Sequence, residues 1–198
     1  MRAWKRVDTP AGPRYRSAVD AREAAVLRNL AGSVVEMLDE REAAAPHDEL
    51  EQITGLRTGN SAAPADATLG RLLPDFHRPD PAAGDASAAD STDLNAALRS
   101  LHEPQIIDAK RAAAQRILAT LPADGGRFEL TEDDANAWIA AVNDIRLALG
   151  TMLGVGPDGP DRLPDDHPMA GHLDVYQWLT WLQEYLVVAL MGKRRSEE

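Results

Sequence analysis

Thr131–Gly154 reads TEDDANAWIAAVNDIRLALGTMLG, and further on Val175–Gly192 reads VYQWLTWLQEYLVVALMG. These two stretches decide the fold class. In the first, Trp138, Val142, Ile145, Leu149 and Met152 recur at spacings of 4, 3, 4 and 3. That is the period of one face of an α-helix. Thr131 followed three residues later by Asp134 has the form of a capping box, with Asp in place of the usual Glu. Gly154 is a suitable C-terminal stop, so a helix is predicted from Thr131 to Leu153. In the second stretch Tyr176, Leu179, Leu182, Leu186 and Ala189 form one stripe, and Trp178, Trp181, Tyr185 and Val188 form another beside it. A helix over 172–191 that is apolar around so much of its circumference is central to a bundle or shared with a partner. Trp178, Trp181 and Tyr185 are therefore read as a partner or packing surface, and a homodimer is one form such a partnership could take.

Working outward, Asp20 can cap a helix over 21–44 whose apolar positions Val26, Leu27, Leu30, Val34, Met37 and Leu38 follow helical spacing. Pro46 ends it. Glycines and prolines interrupt 46–93, leaving room for single helical turns at Leu50–Ile53 and Thr68–Leu73. Residues 78–93, RPDPAAGDASAADSTD, are low in complexity and hold no core residue, so a mobile loop is expected there. Leu94, Leu98 and Leu101 give a short helix. Pro104 suits the first turn of another, running through Ile106, Ile107, Ala113, Ile117 and Leu118. Residues 122–126 read as a turn. At the start, Arg2–Val7 and Arg14–Val19 flank the proline- and glycine-containing Asp8–Pro13, which predicts a β-hairpin. The expected fold is mostly α: a helical bundle of about five main helices with a short N-terminal β-hairpin. It is read as one domain over 1–198, with a flexible Ala/Asp/Pro-rich insertion around 57–93.

The 198 residues include no cysteine, which excludes disulfides, iron–sulfur clusters, thiolate zinc sites and thiol-based sensing by this sequence. The formal net charge is −11. It is unevenly spread. Residues 1–30 hold seven basic groups against three acidic ones, a net of +4, so the remainder carries −15. Such a body repels nucleic-acid phosphates and more naturally meets a basic protein surface. The basic first residues are followed by no apolar run, so no signal peptide is expected. The stretch 173–191 contains Asp174, Gln177, Gln183 and Glu184, too polar for a lipid-facing span. A cytoplasmic protein with no membrane partner is expected.

No motif carries chemistry. Gly154-Val155-Gly156-Pro157-Asp158-Gly159 matches G-x-G-x-x-G literally, but a helix precedes it where a strand is required, and Pro157 has no N–H to offer a pyrophosphate. A helix cap and loop is the reading. Asp165, Asp166, His167, His172 and Asp174 lie close in sequence without a diagnostic ligand spacing, so no metal site is assigned. There is no nucleophile elbow and no Walker loop. No enzyme activity and no cofactor are expected. Asn143, Asp144 and Arg146 of the first apolar helix and Gln177, Gln183 and Glu184 of the second are polar. Asn143, Arg146 and Glu184 are read as a structural polar network, with Arg146 facing Glu184, and a ligand pocket between the helices is the alternative. Arg2, Lys5, Arg6, Arg14 and Arg16, interleaved with Trp4 and Tyr15, form a candidate nucleic-acid contact. The charge balance argues against direct nucleic-acid binding and favours a contact of this segment with the acidic remainder.

WKR at 4–6, LHEPQIIDAKRAAAQ at 101–115 and the two helical stretches quoted above together resemble an actinobacterial domain-of-unknown-function family that includes the oxidative stress transcriptional regulator AosR. The resemblance runs along nearly the whole chain. It implies a role in oxidative-stress transcription through contact with RNA polymerase or a sigma factor. The runner-up it implies is an adaptor linked to Clp-type regulated proteolysis, and a direct DNA binder through the basic N-terminus is the further alternative. It supplies no catalytic residues. One departure matters: a redox regulator ordinarily senses through thiols, so in such a circuit the sensing thiol lies elsewhere, with oxidation of Met37, Met152, Met169 or Met191 as a slower, cruder alternative.

Overall fold

The computed structural model describes residues 1–45, 57–78, 84–156, 159, 164 and 167–192. Within them run strands β1 (Lys5–Thr9), β2 (Gly12–Val19) and β3 (Gly126–Leu130). The helices are α1 (Ala21–Ala43), α2 (Ala67–Leu72), α3 (Gly84–Thr120), α4 (Glu132–Met152) and α5 (Ala170–Met191). The protein is mostly helical with an N-terminal β-hairpin, as its periodicity predicts. Two compact units are present: Met1–Val35 with Lys110–Glu198, and Glu36–Ala109.

In the first unit the strands form an antiparallel sheet in the order β1-β2-β3. Thr9 pairs with Gly12 across the tight turn, and the Thr9 hydroxyl donates to the Gly12 carbonyl at 2.6 Å. The third strand is not among the expected elements, because only a turn over 122–126 is read between the two helices and 127–130 are assigned nothing. Its signal is short: Phe128 and Leu130 alternate with Arg127 and Glu129. Gly125 makes the entry to β3 possible. It has φ +77, and a Cβ there would lie 2.6 Å from the Asp20 carbonyl carbon, so only glycine fits.

One face of the sheet is inside. Tyr15, Ser17 and Val19 are buried and Leu130 is fully enclosed, while Arg16, Arg127 and Glu129 are exposed. This is the period-2 alternation of a half-buried sheet. Against the inner face lies an aromatic cluster: Phe128 stacks on Trp138 at 5.3 Å, and Trp4 meets both edge-on at 5.5 and 5.8 Å. Trp138 is wholly buried, and its indole N–H donates to the Thr120 hydroxyl at 2.8 Å. The apolar stripe of α4 continues the core through Val142, Ile145 and Leu149, and α5 adds Leu179, Leu182 and Leu186.

Side chains satisfy several of the helix ends. Asp20 and Glu23 cap α1 reciprocally, at 2.8 and 2.9 Å. Thr131 and Asp134 form the capping box expected for α4. At the C-terminal end of α3 the Arg28 guanidinium donates to the carbonyls of Leu118 and Leu121, placing a cation where the helix dipole favours it.

In the second unit the structure corrects two expectations. The segment expected as a loop over 78–93 is helical from Gly84 onward, where Ala86, Ala88 and Ala89 supply helix propensity. Residues 79–83 lie outside the described residues, as does the turn expected at Leu50–Ile53. Pro104 does not open a new helix; it lies inside the continuous α3. A proline there leaves the carbonyl four residues earlier without its helical donor. That carbonyl belongs to Ser100, and the Gly59 N–H donates to it at 2.7 Å. A Cβ on Gly59 would sit 2.9 Å from Pro104 Cδ, so the replacement donor has to come from glycine. Arg57 reinforces the join by donating to the Pro104 carbonyl at 3.1 Å and to the Asp108 carboxylate at 2.5 Å.

The same unit holds a buried ion network. Glu103 and Arg99 are each 1% exposed. Glu103 accepts from Arg41 at 2.8 Å and from Arg99 at 2.9 Å, and Arg99 also reaches Asp75 and the Leu73 carbonyl. A buried charge flanked by two opposite charges is satisfied in place, and removal of either partner would strand the other. This cluster ties Arg41, Asp75, Arg99 and Glu103 to one another.

Candidate binding surfaces

Two surfaces of the first unit remain open. The first is on α5. Helical spacing places Trp181, Tyr185 and Val188 on one side, with Met191 at its margin, and they are 58%, 58%, 59% and 62% exposed. Trp178 is half-buried at the edge of this face, while Leu179, Leu182 and Leu186 on the opposite side are enclosed. The sequence reading grouped Trp178, Trp181 and Tyr185; the structure keeps Trp181 and Tyr185 together in solvent and extends the face to Val188 and Met191. An exposed apolar face of this kind is a feature of interaction surfaces.

The second is the outer face of the sheet. Arg2, Lys5 and Arg16 are exposed there and Arg14 is half-buried, whereas Arg6, opposite Tyr15 in the β1–β2 register, is half-buried on the other face. Several of these cations are already occupied. Arg16 pairs with Glu129 at 2.9 Å, Arg14 lies 3.9 Å from the same carboxylate, and Arg6 lies 3.3 Å from Asp8. Arg6 also donates to the Tyr15 hydroxyl and sits over its ring. Burial raises the Tyr15 hydroxyl's pKa, against the opposing pull of Arg6. Arg127, on β3, joins this face. Sequence reasoning missed it because β3 itself was missed.

A polar network joins α4 and α5, with Gln183 and not Glu184 facing Arg146. Arg146 donates to the Gln183 side-chain carbonyl, and Gln183 in turn donates to the Ile139 carbonyl at 3.1 Å. The Arg146 guanidinium also lies 5.5 Å over the Tyr176 ring. Asn143 and Glu184 are exposed. One position along a helix is a turn of about 100°, which carries Glu184 away from Arg146 and brings Gln183 toward it. The buried acid of α4 is Asp144, next to the expected Asn143. Burial pushes its carboxyl pKa up, and the Lys110 ammonium at 2.6 Å opposes that rise.

Among the described residues no group of three or more His, Asp or Glu side chains is placed to hold a metal ion. His167, His172 and Asp174 are exposed, and Asp165 and Asp166 lie outside the described residues. The glycine-rich stretch follows α4, with Gly154 at φ +66 as its left-handed exit; Pro157 and Asp158 are outside the described residues. No helix among the described residues is long and apolar enough to cross a membrane.

Residues 1–190 match the family described as a domain of unknown function, DUF2017. The chain belongs to the DUF2017 family. Similar relatives of this DUF2017 protein are named "Oxidative stress regulator AosR" in Mycobacterium tuberculosis (strain ATCC 25618 / H37Rv) and in Mycobacterium bovis. Each is 62% identical over 196 residues, covering 98% of this chain and 90% of the relative. No solved structure matches it.

Proposed function

We propose that this chain is a non-enzymatic regulator of the oxidative-stress response that works by protein contact, with RNA polymerase or a sigma factor as its partner. The names of its relatives support the regulatory part. The contact mode rests on one observation: the exposed Trp181, Tyr185 and Val188 face of α5. Large aromatic side chains left in solvent carry binding energy when a partner covers them. No thiol in this sequence is available to sense an oxidant, so the signal reaches the regulator from a partner, or through the exposed thioethers of Met152 and Met191.

The test is co-purification of the full chain with RNA polymerase core and with individual sigma factors, at low and high salt. Retention at high salt is the expected result for an apolar contact. Trp181→Ala with Tyr185→Ala should abolish it while the melting temperature holds. Retention of the double variant, or failure of every sigma factor and the core enzyme to bind, would sink the reading.

A further inference from the structure

The outer face of the sheet has an arrangement that the α5 surface does not explain. Residues opposite each other across antiparallel strands share a face. Arg16 on β2 is flanked by Lys5 on β1 and Glu129 on β3. Two residues along, Ala18 is flanked by Arg127 on β3. On its other side the Arg2 N–H donates to the Ala18 carbonyl at 2.8 Å. A small alanine thus lies between two arginines, with a lysine and a third arginine one row away. Together Arg2, Lys5, Arg16 and Arg127 line an open depression of ≈ 260 Å³ over Ala3 and Ala18.

Lys5 directly opposite Arg16 is a like-charge pair, which destabilises a ladder that holds no anion. Glu129 engages Arg16. Arg2, Lys5 and Arg127 are exposed and have no ion-pair partner among the described residues. Their backbone is nonetheless held. The Ser17 hydroxyl donates to the Arg2 carbonyl at 2.6 Å, the Met1 amine pairs with Glu23, and Trp4 is buried against Phe128. The backbone that carries the cations is therefore ordered before any ligand arrives, and only their side chains remain to be fixed on binding.

We propose that this depression is a binding site for a compact diphosphate group, free as pyrophosphate or carried as the tail of a nucleoside diphosphate. Arginine forks match phosphate oxygens in geometry, and lysine adds a point charge. The footprint is small and acidic at its margins. Asp20 and Glu23 border the adjoining depression, and Glu129 stands beyond Arg16. A long polyanion would run from the cations into a body of net charge −11 and be repelled there. The lining holds no aromatic ring on which bases could stack. Those two features favour a small phosphate ligand over a nucleic-acid strand. The site stands apart from the α5 contact, so either can fail without the other.

The experiment is isothermal titration of the full chain with sodium pyrophosphate, with ADP and with a short DNA duplex, at two salt concentrations. Saturable pyrophosphate binding is expected. Arg2→Gln and Arg127→Gln should each weaken it by roughly tenfold, the loss of a charge-assisted contact. Arg71→Gln, outside the depression, should leave it unchanged, and circular dichroism should show all three variants folded. ADP binding as tightly as pyrophosphate identifies a nucleotide tail; pyrophosphate binding alone identifies the free anion. Absence of saturable pyrophosphate binding to the folded chain overturns the proposal. So does equal loss in Arg71→Gln, or a duplex that binds where pyrophosphate does not.

Discussion

Trp138 and Trp181 lie on neighbouring helices of the same unit, each within an apolar stripe. One is wholly enclosed and the other is 58% exposed. α4 presents a single stripe, which is enclosed from Trp138 to Leu149 and reaches solvent only at Met152. α5 presents two stripes, and the unit covers only the Leu179–Leu182–Leu186 one. The apolar count of a helix therefore states how much surface needs a neighbour, without stating whether that neighbour belongs to the same chain.

The largest effect should come from the enclosed member. Trp138→Ala removes the stacking partner of Phe128 and the donor to Thr120, and should cost about 3–5 kcal/mol, read as a sharp fall in melting temperature. Next is the joint between the two helices. Gln183→Ala leaves the half-buried Arg146 without its side-chain acceptor and should cost about 1–3 kcal/mol by chemical denaturation.

A smaller loss is expected at the start of α4. Asp134→Ala breaks the capping box at a cost of about 1 kcal/mol. Burial alone would raise the Asp134 carboxyl's pKa, but its hydrogen bonds with Thr131 and the charge of Arg116 outweigh that and hold it below the ordinary carboxylate value. Its contribution is therefore present in full above that value and lost as pH falls through the lowered one. Denaturation of wild type and variant at neutral and acidic pH should show their difference shrinking toward acid. A gap that grows toward acid would show the sign to be wrong.

The smallest effect on stability should come from Trp181→Ala, within about 0.5 kcal/mol. Its readout is association: sedimentation or co-purification changes while the melt does not. A destabilisation matching that of Trp138→Ala would erase the contrast between the two helices. No change in either stability or association would make Trp181 a bystander.

Much of this was legible in the residues. The strict 4-3-4-3 stripe of α4 and its Thr131 cap gave the helix and its buried face, and the doubled stripe of α5 announced a surface beyond one neighbour's reach. β3 was hidden because Arg127–Leu130 offers only two alternations between a glycine turn and a helix cap. α3 was cut in two because Pro104 ordinarily marks a boundary; the donor that rescues it comes from Gly59, far away in sequence. Arg146 was assigned to Glu184 by charge, whereas helical phase selects Gln183. The anion-binding face was only half visible, since Arg127 belongs to the strand that was missed.

Gly59 and Pro104 carry a constraint that neither shows alone. Proline withdraws the amide that would ordinarily reach the Ser100 carbonyl, and its ring occupies the space a side chain at residue 59 would need. Pro104→Ala, a change that helps most helices, would restore the local donor and clear that space. Drift at either position is thereby tied to the other: relatives that lose the proline should be released from the glycine, and those that keep it should not.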